Sequence, residues 1–338
     1  MSESEKIKVG ISIGDPHGVG IEIILKVFED KRMFDFFTPI VYGNTKLLSF
    51  QRNHLKMNIG LFTLRSDLKP HASKLNVIDV WNYEHKVSFG KVSEAAGKLA
   101  VASLEAATKA LIDEEVSVLV TAPIHKQAIQ SKQFKFPGHT DYLASKLGGE
   151  SLMFMITDTL KVALVSDHIP VKEVSNTLTP ERLQHKIDLL EKSLIHDFGI
   201  SRPKIAVLGI NPHTGDNGVI GEEDDTVIRP VLAGNIEKGR LVYGPYAADS
   251  FFGSESYLQF DAVLAIYHDQ GLIPFKTLSF GEGVNFTAGL TKVRTSPDHG
   301  TAFEIAGKGL AQTTSFKEAL FKAKAIFFNR SAAQSAAF

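Results

Sequence analysis

Short runs of apolar residues alternate along this chain with longer amphipathic stretches. The strand-like runs are almost continuous in Val, Ile, Leu and Ala, which is typical of strands covered on both faces. They span residues 8–13, 39–42, 116–120, 162–165, 204–210 and 262–267. In the segments between these runs, the apolar residues recur at helical spacing. This alternation predicts an α/β fold with a largely parallel sheet.

Several predicted helices have recognisable ends. The helix predicted over residues 94–115 places a stripe of apolar side chains on one face, formed by Leu99, Leu104, Ala107 and Leu111. Thr179 precedes a proline and is suited to cap a helix that Gly199 closes. Ser315 and Glu318 have the spacing of a capping box, which predicts the start of the last helix.

Composition narrows the class of protein. The 338 residues are 43% hydrophobic and 22% charged, which is ordinary for a globular chain and long enough for two domains. The net charge of -1 provides no general attraction for nucleic acid or an anionic membrane. The absence of cysteine leaves His, Asp and Glu as the strong metal ligands. Neither a secretory signal nor a bilayer-long apolar run is evident, so we expect a cytoplasmic protein.

Three of the strand-like runs are each followed by a histidine. They are His168, His213 and His268. Ligands of open parallel sheets bind at the carboxyl ends of the strands, so these side chains are candidates for one site. Neutral imidazoles bind zinc, cobalt, nickel or iron, and three protein ligands with an open position are typical of a catalytic metal. Each histidine could equally be a loop residue bonded to backbone, and spacing alone leaves both interpretations open.

A second set of polar residues points to an anionic ligand. Lys276, Asn285 and Arg294 lie among the glycines of residues 267–309, and a polar segment covers residues 138–141. Arginine binds carboxylate or phosphate in a bidentate fork, and lysine adds a point charge. Singly, each of these residues could be a solvated surface group, but together they favour an anion site. The glycine-rich loop over residues 14–20 does not have the spacing of the dinucleotide fingerprint and is a weaker signal.

Longer motifs resemble those of the 4-hydroxythreonine-4-phosphate dehydrogenase family along nearly the whole chain. The matching segments are GDPHGVG (14–20), TAPIHK (121–126), FPGHTDYLA (136–144), NPHTGDNGVIGEED (211–224), GPYAADSFF (244–252), YHDQGLIPFK (267–276), VNFTAGL (284–290) and RTSPDHGTAFEIAGKG (294–309). The resemblance implies two α/β/α domains with a cleft between them, as in isocitrate and isopropylmalate dehydrogenases. The expected boundaries are 1–133 plus 290–338 for the first domain and 134–289 for the second, which carries most metal and substrate residues.

The same resemblance assigns roles to particular residues. It implies a homodimer with shared active sites, in which His168, His213 and His268, contributed by both subunits, hold one divalent metal such as zinc, magnesium or cobalt. The implied substrate-binding residues are His139, Thr140, Lys276, Asn285 and Arg294. Asp249 matches an acidic residue near the metal, and either it or Lys276 is the catalytic group that relays a proton.

The cofactor prediction depends on a second resemblance. Residues 299–309 are similar to the adenosine-binding loop of isopropylmalate and isocitrate dehydrogenases. This similarity implies NAD or NADP as cofactor, with His299, Gly300, Glu304 and Gly307 as binding residues.

The implied reaction is the oxidation of 4-phosphooxy-L-threonine to a 3-keto acid that decarboxylates to 3-amino-2-oxopropyl phosphate, in pyridoxal 5'-phosphate biosynthesis. Asp141, Ala288 and Thr291 depart from the usual family pattern beside substrate positions. One alternative is therefore a sister dehydrogenase acting on 4-phospho-D-threonate or 4-phospho-D-erythronate. Metal-dependent phosphohydrolases and non-catalytic binding proteins are alternatives from other classes.

Overall fold

The computed structural model describes residues 6–131, 134–136 and 138–336. Its strands are β1 (Ile7–Ser12), β2 (Phe37–Gly43), β3 (Leu61–Thr63), β4 (Leu75–Asp79), β5 (Val118–Thr121), β6 (Gly149–Ile156), β7 (Lys161–Leu164), β8 (Ile205–Leu208), β9 (Val242–Tyr246), β10 (Ala262–Ala265), β11 (Val284–Leu290) and β12 (Arg294–Pro297). Its α-helices are α1 (Gly20–Glu29), α2 (Met33–Phe36), α3 (Thr45–His54), α4 (Glu94–Ile112), α5 (Lys126–Ile129), α6 (His139–Leu147), α7 (Val174–Thr177), α8 (Pro180–His196), α9 (Arg229–Glu237), α10 (Ala248–Gly253), α11 (His268–Leu278) and α12 (Thr314–Ala336).

The first of two compact units contains Met1–Gly149 and Leu290–Phe327. Its strands follow the order β3-β4-β2-β1-β5-β12, and every described pairing among them is parallel. The helix α4 packs on this sheet through the predicted stripe, whose four side chains are all buried. Non-sequential parallel strands joined by helices are typical of α/β folds, as the apolar pattern predicted.

The second unit contains Glu150–Gly289 and Phe328–Phe338. Its strands follow the order β11-β6-β7-β10-β8-β9. The strands β7, β10, β8 and β9 are parallel, while β6 runs antiparallel to β7. Apolar side chains of these central strands pack against α10 and α11 to form the core of this unit. The predicted largely parallel sheet is confirmed in both units.

The helix ends follow the sequence signals, with one exception. Thr179 caps α8 by accepting a hydrogen bond from the backbone N–H of Arg182, and Gly199 has the left-handed φ of 69° that suits a residue just beyond a helix. The last helix, α12, begins at Thr314, one residue before the predicted cap Ser315. The Ser315 hydroxyl accepts a hydrogen bond from the backbone N–H of Asp298. Among the described residues, none of the helices is long and apolar enough to cross a membrane.

Candidate active site

Three neighbouring parallel strands of the second unit deliver the predicted metal-binding histidines. His168 follows β7, His213 follows β8, and His268 is the first residue of α11 after β10. The rings of His168 and His268 lie close, with their centroids 5.8 Å apart. The Nδ1 atom of His268 lies 2.6 Å from a carboxylate oxygen of Asp269, a contact that orients the ring. Two of the three predicted ligands are therefore brought together at the carboxyl end of the sheet.

The third histidine lies on a strained turn beside a cavity. His213 and Thr214 both have a φ of 54°, in the left-handed region that non-glycine residues rarely adopt. His213 lines a cavity of about 570 Å³, and Asp249 and Asp269 line the same cavity. The proposed proton-relay residue Asp249 and one predicted metal ligand thus face the same space. Carboxylate and imidazole groups around one cavity suit metal-assisted chemistry.

The chemistry of the donors at this sheet edge suits a divalent metal, but the described residues bring only two of the predicted ligands together. Within the described ranges, no three His, Asp or Glu side chains lie close enough to enclose a metal ion. The His168–His268 pair nevertheless presents two imidazoles at one place, and the cavity that holds His213 also borders Asp269, the residue after His268. Imidazole pairs of this kind suit zinc or cobalt better than magnesium, which prefers oxygen ligands.

In the first unit, Arg294 forms a buried cationic centre. Its side chain in β12 is 1% exposed and donates two hydrogen bonds to the Thr121 hydroxyl, from Nε at 3.1 Å and Nη2 at 2.6 Å. Burial lowers the pKa of Arg294 to about 9. A buried guanidinium is costly to maintain, and an anionic ligand would stabilise its charged form. This placement suits the predicted role in binding phosphate or carboxylate.

His139 lies within the electrostatic reach of Arg294. Burial lowers the pKa of His139 well below its ordinary value, and the positive charge of Arg294 adds to the effect. The buried Nε2 atom of His139 has no hydrogen-bond partner in the described part of the chain. Both His139 and Thr140 lie in the first turn of α6, where free backbone N–H groups favour anions. The structure therefore brings three of the five predicted substrate residues together in this unit, namely His139, Thr140 and Arg294.

The other two predicted substrate residues lie in the second unit. Lys276 is exposed in the last turn of α11, eight residues and about 12 Å along the helix from His268. Asn285 lies in β11, and its buried Oδ1 atom has no partner among the residues described. An unsatisfied buried carbonyl oxygen is costly, so Asn285 is ready to accept a hydrogen bond from a ligand.

The predicted cofactor loop packs against the glycine-rich loop over residues 14–20. The backbone N–H of Val19 donates to the Thr301 carbonyl at 3.0 Å, and the Phe303 ring stacks on His125 with 5.2 Å between centroids. Gly307 has a φ of 74°, and a Cβ there would approach the Phe89 ring within 2.6 Å. The loop also exposes Glu304 and Gly300.

One side chain of this loop has unmet hydrogen-bonding capacity. His299, the first residue of the loop, has a buried Nε2 atom with no partner among described residues. A buried imidazole nitrogen of this kind is expected to gain a hydrogen bond when a ligand binds. All four predicted cofactor residues lie within the first unit.

Sequence reasoning missed a polar cluster beneath this loop. The Nε2 atoms of His17 and His85 lie 2.9 Å apart, and the Nδ1 atom of His17 lies 2.8 Å from the Lys91 carbonyl. Burial raises the pKa of Asp15, whose Oδ1 atom accepts a hydrogen bond from the backbone N–H of His17. His85 is half-buried, and its partner His17 lies 68 positions away in the sequence. No local pattern could have indicated this pairing.

Comparison with solved structures identifies the class of protein. The 4-hydroxythreonine-4-phosphate dehydrogenase from Klebsiella pneumoniae matches with a TM-score of 0.82 and 33% identity, covering 96% of this chain and 99% of that one. A 4-hydroxythreonine-4-phosphate dehydrogenase from Burkholderia phymatum matches with a TM-score of 0.77 and 34% identity, covering 95% and 98%. These structures have the isocitrate/isopropylmalate dehydrogenase-like fold. The chain is accordingly an α/β oxidoreductase of that fold class.

Sequence comparison then identifies the family. The family model for the pyridoxal phosphate biosynthetic protein PdxA matches residues 35–323. A 4-hydroxythreonine-4-phosphate dehydrogenase of Bacteroides thetaiotaomicron is 46% identical over 330 residues, covering 97% of this chain and 91% of its own. A protein of Oceanobacillus iheyensis, provisionally named a D-threonate 4-phosphate dehydrogenase, is 37% identical over 326 residues, covering 95% and 98%. The chain belongs to the PdxA family, as its motifs predicted.

Membership of an oxidoreductase family decides between the classes of function that the sequence left open. The phosphohydrolase and the non-catalytic binding protein are both wrong, because the matched relatives are dehydrogenases. The family match does not by itself identify the phosphorylated acid that is oxidised. Dehydrogenases named for different substrates match over more than nine-tenths of this chain.

Proposed function

We propose that the chain is an NAD(P)-dependent and divalent-metal-dependent dehydrogenase that oxidises 4-phosphooxy-L-threonine to a 3-keto acid in pyridoxal 5'-phosphate biosynthesis. The keto acid then loses carbon dioxide to give 3-amino-2-oxopropyl phosphate. The structural observation that supports an anionic substrate most directly is the buried Arg294 guanidinium beside neutral His139. The name of the 46% identical relative supports the choice of this substrate. The proposed setting is the cytoplasm, where nicotinamide cofactors and phosphorylated intermediates are available.

The side chains of the first unit bind and orient the substrate in this proposal. Arg294 holds an anionic group of the substrate through charge-assisted hydrogen bonds, which are stronger than those between neutral groups. Thr140 and the first turn of α6 offer further donors to the same kind of group. Because the pKa of His139 is low, its ring stays neutral and can both donate and accept a hydrogen bond.

The second unit provides the groups for proton transfer. A divalent metal held by His168, His213 and His268 would supply Lewis-acid chemistry at the reacting hydroxyl and at the keto acid. Asp249 is favoured over Lys276 as the group that accepts the hydroxyl proton, because Asp249 lines the same cavity as His213. A nicotinamide cofactor would accept the hydride from the carbon that bears the reacting hydroxyl, and His299, Gly300, Glu304 and Gly307 are the residues that would hold its adenosine end. Replacing Asp249 with Asn should lower kcat far more than it changes KM.

The experiment that tests the function follows reduced-cofactor absorbance with purified protein and each candidate substrate. The substrates are 4-phosphooxy-L-threonine, 4-phospho-D-threonate and 4-phospho-D-erythronate, each offered with NAD or NADP. Chelated protein, with zinc, cobalt or magnesium added back, provides the control for metal dependence. Turnover of the first substrate that chelation abolishes supports the proposal. Turnover of a sugar acid alone would instead assign the sister activity that the Oceanobacillus relative suggests. Absence of turnover and of cofactor binding would refute the dehydrogenase.

We further propose a homodimer in which two copies complete each metal site. One chain brings His168 and His268 together, while His213 stands on a separate turn. Large apolar side chains of the same unit are exposed, with Ile273 at 64% and Phe280 at 89%. Exposed apolar side chains of this size are common at subunit interfaces.

Complementation between inactive variants tests this shared site. His213→Ala and His168→Ala should each be inactive when purified alone. After the two proteins are unfolded together and refolded, half of the dimers should be mixed, and each mixed dimer should have one intact site. About a quarter of wild-type activity is therefore expected. The two variants carry different affinity tags, so that mixed dimers can be captured through both tags. If such mixed dimers form but are inactive, the ligands come from one chain.

A further inference from the structure

The side chain of Gln270 bridges the ends of two strands that deliver predicted metal ligands. Its Oε1 atom accepts a hydrogen bond from the backbone N–H of Ile266 at 2.7 Å, and its Nε2 atom donates to the Gly209 carbonyl at 2.6 Å. Ile266 lies just beyond β10, two residues before His268, and Gly209 lies just beyond β8, four residues before His213. One amide thus connects the backbone segments that lead to two different histidines.

This bridge lies where the backbone pairing of the two strands has ended. The last paired residues of β10 and β8 are Leu264 and Val207. Beyond them, the N–H of Gly209 donates to Tyr246 of the neighbouring strand β9, so its carbonyl is left for Gln270. The amide can satisfy both partners in only one orientation, because its oxygen must face an N–H and its nitrogen a carbonyl. A glutamine amide therefore replaces the missing ladder bond between the two strand ends.

The side chains of Ser166 and Asp224 hold the backbone segments on either side of the Gln270 bridge. The hydroxyl of Ser166, two residues before His168, donates to the Ile266 carbonyl at 2.7 Å and so links the end of β7 to that of β10. The carboxylate of Asp224 accepts hydrogen bonds from the backbone N–H groups of Ile210 and Asn211, at 3.0 and 3.1 Å, in the loop that leads to His213. Ser166 is 2% exposed and Asp224 is fully buried.

We propose that Gln270 is a positioning residue for the metal sites. It holds the two strand ends that present His213 and His268, so that each histidine is set for the site that it completes in the dimer, and Ser166 and Asp224 hold the flanking segments. The inference is based on the metal-dependent function proposed above. Metal ligands must be held within about 0.5 Å of their working positions, and side chains that hold them typically change metal affinity by about 10- to 100-fold when removed. Gln270 needs no contact with the metal, because it acts through the backbone on both sides.

The test is cobalt binding by the full-length protein, because Co²⁺ reports ligand geometry through its visible absorption. Gln270→Met retains the approximate length and volume of the side chain but removes both hydrogen bonds. We expect it to weaken Co²⁺ binding about 10- to 100-fold and to change the visible spectrum of the bound ion. The kcat of cobalt-loaded protein should fall while the KM for the phosphorylated substrate changes little, because the predicted anion-binding residues are untouched.

Gln184→Met is the matched control within the same unit. The amide of Gln184 exchanges two hydrogen bonds with the Asn235 side chain and donates a third to the Asp188 carboxylate, but it joins α8 to α9 and holds neither strand end. This variant should bind Co²⁺ within about twofold of wild type. Should Gln270→Met fail to fold, Ser166→Ala is the second variant, because the backbone bond from the Ser166 N–H to Ile266 remains. It should weaken Co²⁺ binding several-fold and change the spectrum in the same direction.

The possible results distinguish failure of the positioning role of Gln270 from failure of the proposed metal-dependent function. If wild type binds Co²⁺ and the variants of Gln270 and Ser166 keep its affinity and spectrum, the positioning role is refuted and the proposed function stands. If Gln184→Met weakens binding as much as Gln270→Met, the effect is general destabilisation and the inference is again refuted. If wild type neither binds Co²⁺ nor turns over any candidate substrate, the metal-dependent function fails and the positioning role fails with it.

Discussion

Replacing Arg294 with methionine should separate stability from substrate binding. The Arg294 side chain is 1% exposed, and burial lowers its pKa to about 9, so keeping the charge in the folded protein costs several kcal/mol. Methionine fills similar space without that charge. Its cost is the loss of the hydrogen bonds to the Thr121 hydroxyl, and an unsatisfied buried hydroxyl costs about 1–3 kcal/mol. With other polar contacts of Arg294 also lost, we expect a result between no change and about 2 kcal/mol of stabilisation.

Urea unfolding at pH 7 measures the stability, and steady-state kinetics measure the binding. The KM for the phosphorylated substrate should rise about 10- to 100-fold, as expected when charge-assisted hydrogen bonds worth about 1.5–3 kcal/mol are lost. Inorganic phosphate should raise the melting temperature of wild type but not that of the variant.

Arg240→Met is the contrasting variant, and two results for Arg294→Met would contradict the prediction. Arg240 donates to the carboxylates of Asp188 and Glu191, at 2.6 and 2.7 Å, so Arg240→Met should destabilise the protein. A loss of stability of more than about 1 kcal/mol in Arg294→Met would refute our account of the buried charge. An unchanged KM would refute its role in anion binding.

Three further variants test the ion pair of Arg330 with Asp197, the close packing at Gly97 and the protonation of His139. Arg330→Ala removes the partner of Asp197, a carboxylate that is 3% exposed, and should lower the free energy of unfolding by about 2–4 kcal/mol, as measured in urea. Gly97→Ala should cost about 1–3 kcal/mol in the same assay, because a Cβ there would lie 1.9 Å from the Ala128 carbonyl oxygen. The low pKa of His139 means that acid protonates it in the unfolded chain first, so stability should fall below about pH 6.5, by up to about 1.4 kcal/mol per pH unit. His139→Gln should reduce that slope, and an unchanged slope would contradict the assignment.

The sequence alone determined the class of fold and predicted where the chemistry is concentrated. Continuous apolar runs predicted the central strands, and the rule that ligands bind at the carboxyl ends of parallel strands led to His168, His213 and His268. The motifs then identified the family that the comparisons show. These features were readable because alternation, helix capping and motif spacing are local properties of the chain.

Only the tertiary structure decided which polar groups meet and how deeply they are buried. Arg294, as a lone residue in sequence, could have been a solvated surface group, yet it is buried against Thr121, which lies 173 positions away. The bridge from Gln270 to Gly209 and the pairing of His17 with His85 span 61 and 68 positions. Periodicity carries no information about such contacts, because they depend on the order in which strands assemble. Burial and hydrogen bonding, which set the charge and position of each group, therefore arise only when the sheet is complete.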